Sequence, residues 1–180
     1  MEYYGSKQLA ESFRTVRKNT LLVAEDLPED KYGFRAAEET RSVAEILVHI
    51  AVATRWPYQV HAVERRLTLA GFDFPGFFER SRVEERQPRN KAKILDLLRK
   101  EGDQWASWVG TLSDDFLAEQ VETPMVEPAR RSRFEMILSV KEHEMHHRGQ
   151  LMLIERMVGI VPHLTRQFEQ RMAQARRSGA

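Results

Sequence analysis

Two histidines four residues apart, His143 and His147, stand in the run Glu142-His143-Glu144-Met145-His146-His147-Arg148-Gly149-Gln150. On a helix that spacing stacks both imidazoles on one face, one turn apart, where they could share a metal ion. Burying two imidazoles side by side costs solvation unless something satisfies their nitrogens, and a metal is one such partner. The run also satisfies His-Glu-x-x-His, in which two histidines bind zinc and the glutamate activates water. A peptide-cleaving site of that kind needs a strand edge to align its substrate and a third ligand downstream, and the sequence offers neither. Glu144 has a plainer expected role, an i to i+4 pair with Arg148 on an exposed face. A di-iron carboxylate bundle would require two Glu-x-x-His motifs plus two further inward glutamates. Only Glu144 to His147 has the spacing.

His49 lies three residues after Ile46 and four before Ala53, on the apolar side of an earlier helix. Alone, such a histidine reads as a core side chain bonded to a backbone carbonyl. Beside His143 and His147 it would complete three imidazoles from two helices, and three protein ligands with open positions is the pattern of a catalytic rather than a structural metal site. On the residues alone both readings stand. The other histidines read as surface residues: His146 is rotated about 100° from His147, His61 lies about three turns beyond His49, and His163 falls in a turn.

Four long segments must position these side chains, each with apolar residues at alternating three- and four-residue spacing. The first spans about Ser6 to Leu27, with Leu9, Phe13, Val16, Thr20, Val23 and Leu27 on one face and Pro28 at its end. The second starts near Ser42, where Ser42 and Glu45 match a capping box; its stripe is Val43, Ile46, Ile50, Ala53 and Val60, with a kink expected at Pro57. Gly71 to Pro88, rich in Phe, Gly and charge, reads as a long irregular connection that packs aromatics over one end of the bundle. The third helix runs from about Asn90 to Leu112, with Ile94, Leu98, Glu101, Trp105, Trp108 and Leu112 together and both tryptophans expected in the core. A short helical turn near Asp114 to Glu119 and an extended crossover held by Pro124 and Pro128 follow. The fourth helix opens with the capping box of Ser132 and Glu135, carries Met136, Val140, His143, His147, Leu151, Ile154 and Val158 inward, and stops before Gly159 and Pro162. Leu164 to Arg177 forms an amphipathic fifth helix, outside the bundle or against a partner subunit. Strand-like alternation is nearly absent, so the class is all-α.

Composition narrows the functions. The 180 residues fit one domain, 1–180, with 42% hydrophobic and 31% charged residues, as in a water-soluble globular protein. Twenty-eight Lys+Arg against 27 Asp+Glu leave a net charge of +1, too little for a general field that would attract nucleic acid or an anionic membrane. The basic tail from Arg166 to Arg177 reads as a solvated helix face. With no cysteine, disulfides, thiolate sites and a cysteine nucleophile are excluded, and a cytoplasmic location is expected. Met1-Glu2-Tyr3-Tyr4-Gly5 lacks the basic and apolar pattern of a signal peptide, and no apolar run is long enough to span a membrane.

Leu27-Pro28 with Tyr32 and Phe34, then Thr40-Arg41-Ser42-Val43 leading to Leu47-Val48-His49-Ile50, and above all Glu142 to Leu151, make the sequence resemble the DinB-like (YfiT-like) family of metalloenzymes over most of its length. The resemblance implies an up-down-down-up four-helix bundle, often a homodimer, with nickel, zinc, manganese or iron on three histidines. Those positions map onto His49, His143 and His147. It also implies a small-molecule substrate and either thiol-dependent S-transfer, with a low-molecular-weight thiol as the sulfur donor, or hydrolysis. A non-catalytic, metal-stabilised dimer is the competing expectation.

Overall fold

The computed structural model describes residues 4–124 and 126–178; Met1 to Tyr3, part of the N-terminal stretch read above as lacking a signal-peptide pattern, lie outside the described residues. Among the described residues eight α-helices follow in order: α1 (Ser6–Asp26), α2 (Val43–Val52), α3 (Arg55–Tyr58), α4 (Phe74–Arg86), α5 (Lys91–Val109), α6 (Asp114–Ala118), α7 (Arg133–Met157) and α8 (His163–Ser178). Both expected capping boxes form. Ser42 accepts from the Glu45 N–H while the Glu45 side chain takes the Ser42 N–H, and Ser132 and Glu135 repeat the arrangement.

The apolar stripes dictate how α1, α2, α5 and α7 assemble. Val23, Ala24 and Leu27 at the end of α1 pack with Val43 and Leu47 at the start of α2, Ile94 and Leu98 at the start of α5, and Leu151 and Ile154 late in α7. At the opposite end, Leu9 and Phe13 of α1 meet Trp105 and Val109 of α5 and Ile137 and Val140 of α7. Helices α1 and α7 therefore run one way and α2 and α5 the other, which is the up-down-down-up order. Trp105 is buried as expected; Trp108 is half-buried against Tyr58.

Because α2 and α5 are parallel, the chain between them must travel back along the bundle. It does so through α3, a single π-helical turn at Gln59–Val63, and α4. The break expected at Pro57 falls upstream of it: α2 ends at Val52 and a new helix starts at Arg55, since the proline ring collides with the carbonyl four residues back and gives that carbonyl no donor. Gly71 to Pro88 is not irregular, as its composition suggested, but contains the 13-residue α4, capped by the Asp73 side chain on the Gly76 N–H with Pro75 in the first turn. The crossover at Pro124 and Pro128 is flanked by two short strands, β1 (Gln120–Glu122) and β2 (Arg130–Ser132), paired antiparallel. Helix α8 lies outside the bundle with most of its length exposed. Among the described residues no helix is long and apolar enough to cross a membrane.

Candidate metal centre

The late half of α2 carries His49 and the middle of α7 carries His143 and His147. The structure brings all three together. His49 Nε2 lies 3.1 Å from His143 Nε2, His147 Nε2 lies 3.2 Å from the same atom, and the three ring nitrogens fall within 4.8 Å of one another. Ligands about 2.0–2.1 Å from a common ion stand about 2.9 Å apart at right angles and about 3.3 Å apart at the tetrahedral angle. The two short separations fall between those limits.

Hydrogen bonds on the far side of two rings fix what the inward nitrogens offer. His49 Nδ1 is 2.7 Å from Glu85 Oε1, and an ionised carboxylate only accepts, so the proton sits on Nδ1 and Nε2 keeps its lone pair. His147 Nδ1 donates to Gln150 Oε1 at 2.8 Å, while the Gln150 amide nitrogen donates to His146 at 3.2 Å. A proton on His143 Nε2 can serve only one of its two neighbours. At least two lone pairs thus confront each other with no hydrogen between them, a repulsive arrangement that one divalent cation converts into an attractive one. The three imidazoles fit such an ion.

Protonation does not relieve the conflict near neutral pH. Burial and the neighbouring charges of His147, His49, His146 and Arg41 push His143 down to about 4. His147 also falls to about 4: burial and the neighbouring cations outweigh the hydrogen bond to Gln150. Burial works to raise Glu85, but hydrogen bonds from His49 and from Arg41 Nε, the latter at 2.7 Å, hold it below the usual carboxylate range. Glu85 and Gln150 thus orient two of the candidate ligands from behind, as outer partners of metal-bound histidines commonly do.

Glu144 does something other than the sequence suggested. It is buried rather than exposed, and Arg17 of α1, not Arg148, is its partner: Arg17 Nε lies 3.0 Å and 3.1 Å from the two carboxylate oxygens and a terminal nitrogen adds a third bond at 3.0 Å. The same guanidinium donates to the backbone carbonyls of Leu98 and Ile50. Both oxygens of Glu144 are occupied on the side of α7 that faces α1, so it has none to offer water at the histidines, and the zinc-protease reading of His-Glu-x-x-His lapses. Two other histidines are buried, contrary to expectation. His61 accepts from Arg133 at 2.8 Å, and burial with the Arg133 charge drives it down to about 3. His163 opens α8 against the bundle. Neither joins the cluster, and His146 is exposed as expected.

Two cavities flank the histidines. One, about 340 Å³, is walled by His49, His143, Val52, Trp56, Phe77 and Phe78; the other, about 580 Å³, reaches His147 and Gln150. The phenylalanines of α4 thus cover the site much as the aromatic connection was expected to.

Comparisons with known proteins agree with this architecture. A comparison with curated proteins returned no match. Among solved structures, a DinB-like protein of Bacillus subtilis, YjoA, superposes with a TM-score of 0.63 at 19% identity, covering 84% of this chain and 92% of that one. YfiT of Bacillus subtilis, described as a probable metal-dependent hydrolase with an unusual four-helix bundle topology, gives 0.67 at 13% identity over 89% and 91% of the two chains. An uncharacterised protein of Clostridium difficile gives 0.69 at 14% identity over 88% and 99%. At these identities the likeness is one of fold. The family model of the DinB superfamily matches residues 12–151, from the middle of α1 past the last candidate ligand, and the chain belongs to that superfamily.

Proposed function

We propose that the protein is a divalent-metal-dependent enzyme, a hydrolase or a thiol S-transferase, with His49, His143 and His147 as the metal ligands and a small molecule as substrate. The observation that carries the reading is the meeting of three Nε2 atoms between two cavities, His49 and His143 at the wall of one and His147 at the wall of the other, with two of the rings left with outward-bonded Nδ1 protons and inward lone pairs. Three histidines leave coordination positions open, and an ion held there would lower the pKa of a water or thiol toward neutrality.

The residues of the chain supply the rest. Glu85 and Gln150 keep two rings in the tautomer that offers Nε2. Trp56, Phe77 and Phe78 thin the water on the approach, which strengthens every charge interaction inside. The choice between hydrolysis and S-transfer turns on what enters the cavity, since a cysteine-free chain must receive its sulfur from outside. Imidazoles accept several first-row ions, so nickel, zinc, manganese and iron all remain compatible with the ligand set.

Elemental analysis of untreated protein should return about one divalent ion per chain, and His143→Ala should abolish it together with the rise in melting temperature on adding metal. Unchanged metal content in that variant would sink the reading. A non-catalytic metal protein would show the same metal response but no turnover against ester, amide and thiol-plus-electrophile panels. The homodimer that the resemblance implies remains a proposal, read directly by sedimentation.

A further inference from the structure

Arg41, two residues before α2, is held in an unusual way. Its Nε donates to Glu85 Oε2 at 2.7 Å, and Glu85 in turn takes the His49 proton. That bond fixes the plane of the guanidinium, while its two terminal nitrogens make no hydrogen bond to any described residue. Arg41 lines both cavities beside the histidines, as does Arg82 of α4. Arg82 is itself little committed, 3.9 Å from Glu79 with both side chains mostly exposed. In the smaller cavity Glu85 is the one carboxylate facing these two arginines, and its oxygens are already engaged. Apart from the histidines, Ser81 and Ser139, the remainder of the wall is apolar and aromatic, chiefly Val52, Trp56, Phe77 and Phe78.

A guanidinium anchored through Nε and free at its two ends presents paired parallel donors, the geometry that takes a carboxylate with two hydrogen bonds. A cavity of about 340 Å³ is at the small end of ligand sites. We propose that this cavity binds a small organic carboxylate with an apolar, preferably aromatic body: the carboxylate pairs with Arg41, Arg82 adds charge at the mouth, and the body lies against Trp56, Phe77 and Phe78 beside the histidines. The proposal rests on the metal-enzyme reading only for the reaction at the bound molecule; the recognition itself is a property of Arg41 and the aromatic wall.

The test compares 3-phenylpropionate with its uncharged amide and with acetate, by calorimetric titration of zinc-loaded and chelator-stripped protein whose zinc content is measured in parallel. The acid should bind at least about ten-fold more tightly than the amide, the usual scale for losing a charge-assisted pair. Arg41→Gln should erase that preference while the amide keeps its affinity, compared at matched zinc content because Arg41 also holds Glu85. Arg41→Lys, which keeps charge without the planar fork, should retain part of it. Phe78→Ala should weaken acid and amide alike and leave acetate unaffected. Equal binding of acid and amide, or no binding of the acid at millimolar concentration, overturns the proposal. So does a preference that survives in Arg41→Gln and Arg41→Lys unchanged but disappears on stripping, because the ion would then hold the carboxylate. Protein that takes up none of zinc, nickel, manganese or iron yet keeps an Arg41-dependent preference would sink the metal reading and leave this one intact.

Discussion

His143 and Glu144 are neighbours in sequence, yet they belong to opposite kinds of polar cluster. Toward α1, Glu144 and Arg17 are almost fully buried and bond each other through three contacts, with two further guanidinium N–H groups spent on carbonyls of α5 and α2. Toward α2 and α4, His143 meets two rings whose nitrogens oppose its own, half-open to a cavity. A cluster that serves the fold closes on itself and uses every donor and acceptor, because any left over in a low-dielectric interior costs stability. A cluster that serves a ligand leaves lone pairs aimed at a point where no protein atom sits. The contrast on adjacent residues of one helix separates structural from functional polarity more sharply than burial does.

Breaking the closed cluster should have the largest effect. Arg17→Met leaves Glu144 buried without its partner and should cost about 3–5 kcal/mol in urea unfolding, whereas His143→Ala in metal-free protein should cost far less; similar losses in the two would erase the distinction. Glu85→Ala should weaken metal binding about 10–100-fold in a competition titration with a chromophoric chelator, with little change in the unfolding midpoint of metal-free protein.

Glu155, farther along α7, sharpens the contrast as a third case: fully buried, with neither carboxylate oxygen hydrogen-bonded among the described residues. Burial and the Asp26 charge push it up to about 7 against the opposing pull of Arg166 and Arg156. An acid that titrates higher in the folded than in the unfolded chain contributes fully below the unfolded value of 4.5 and loses that contribution as the pH rises toward 7. Glu155→Gln should therefore match the parent near pH 4 and exceed its stability by about 1–2 kcal/mol near pH 8. The smallest change concerns Gly102 of α5, where an added Cβ would meet Arg17 Cγ at 2.9 Å and a terminal nitrogen at 3.0 Å. Overpacking there outweighs the helix propensity of alanine, and Gly102→Ala should lose about 1 kcal/mol net. A gain in stability would show that Arg17 has room to shift.

The bundle and the histidines were legible in the sequence because both are written at helical spacing. All six residues of the first apolar stripe, Leu9 to Leu27, are buried, and both capping boxes form where the sequence places them. Glu85 was not legible. Its helix buries no apolar stripe, and among α4's residues the buried one is that carboxylate itself, so no periodicity marks the element; the Phe-Pro-Gly-Phe run at its start reads as a loop although Asp73 and Pro75 are ordinary helix-start signals. The partner of Glu85 lies 36 residues away in α2 and that of Glu144 lies 127 residues away in α1. Such pairings depend on which helices touch. His61 was misjudged for a related reason: its burial depends on Arg133, which arrives from the start of α7.

The parallel course of α2 and α5 has a consequence for how chemistry can change on this scaffold. Antiparallel neighbours need only a tight turn between them, but a parallel pair requires a return passage as long as the helices themselves. Here that passage carries the lid phenylalanines, Arg82 and the carboxylate behind His49. Of that passage, Tyr58, Val60 and His61 are packed into the bundle, whereas α4 buries only Glu85; the wall beside the histidines can therefore be rewritten along α4 while His143 and His147 stay bolted to α7 beneath it.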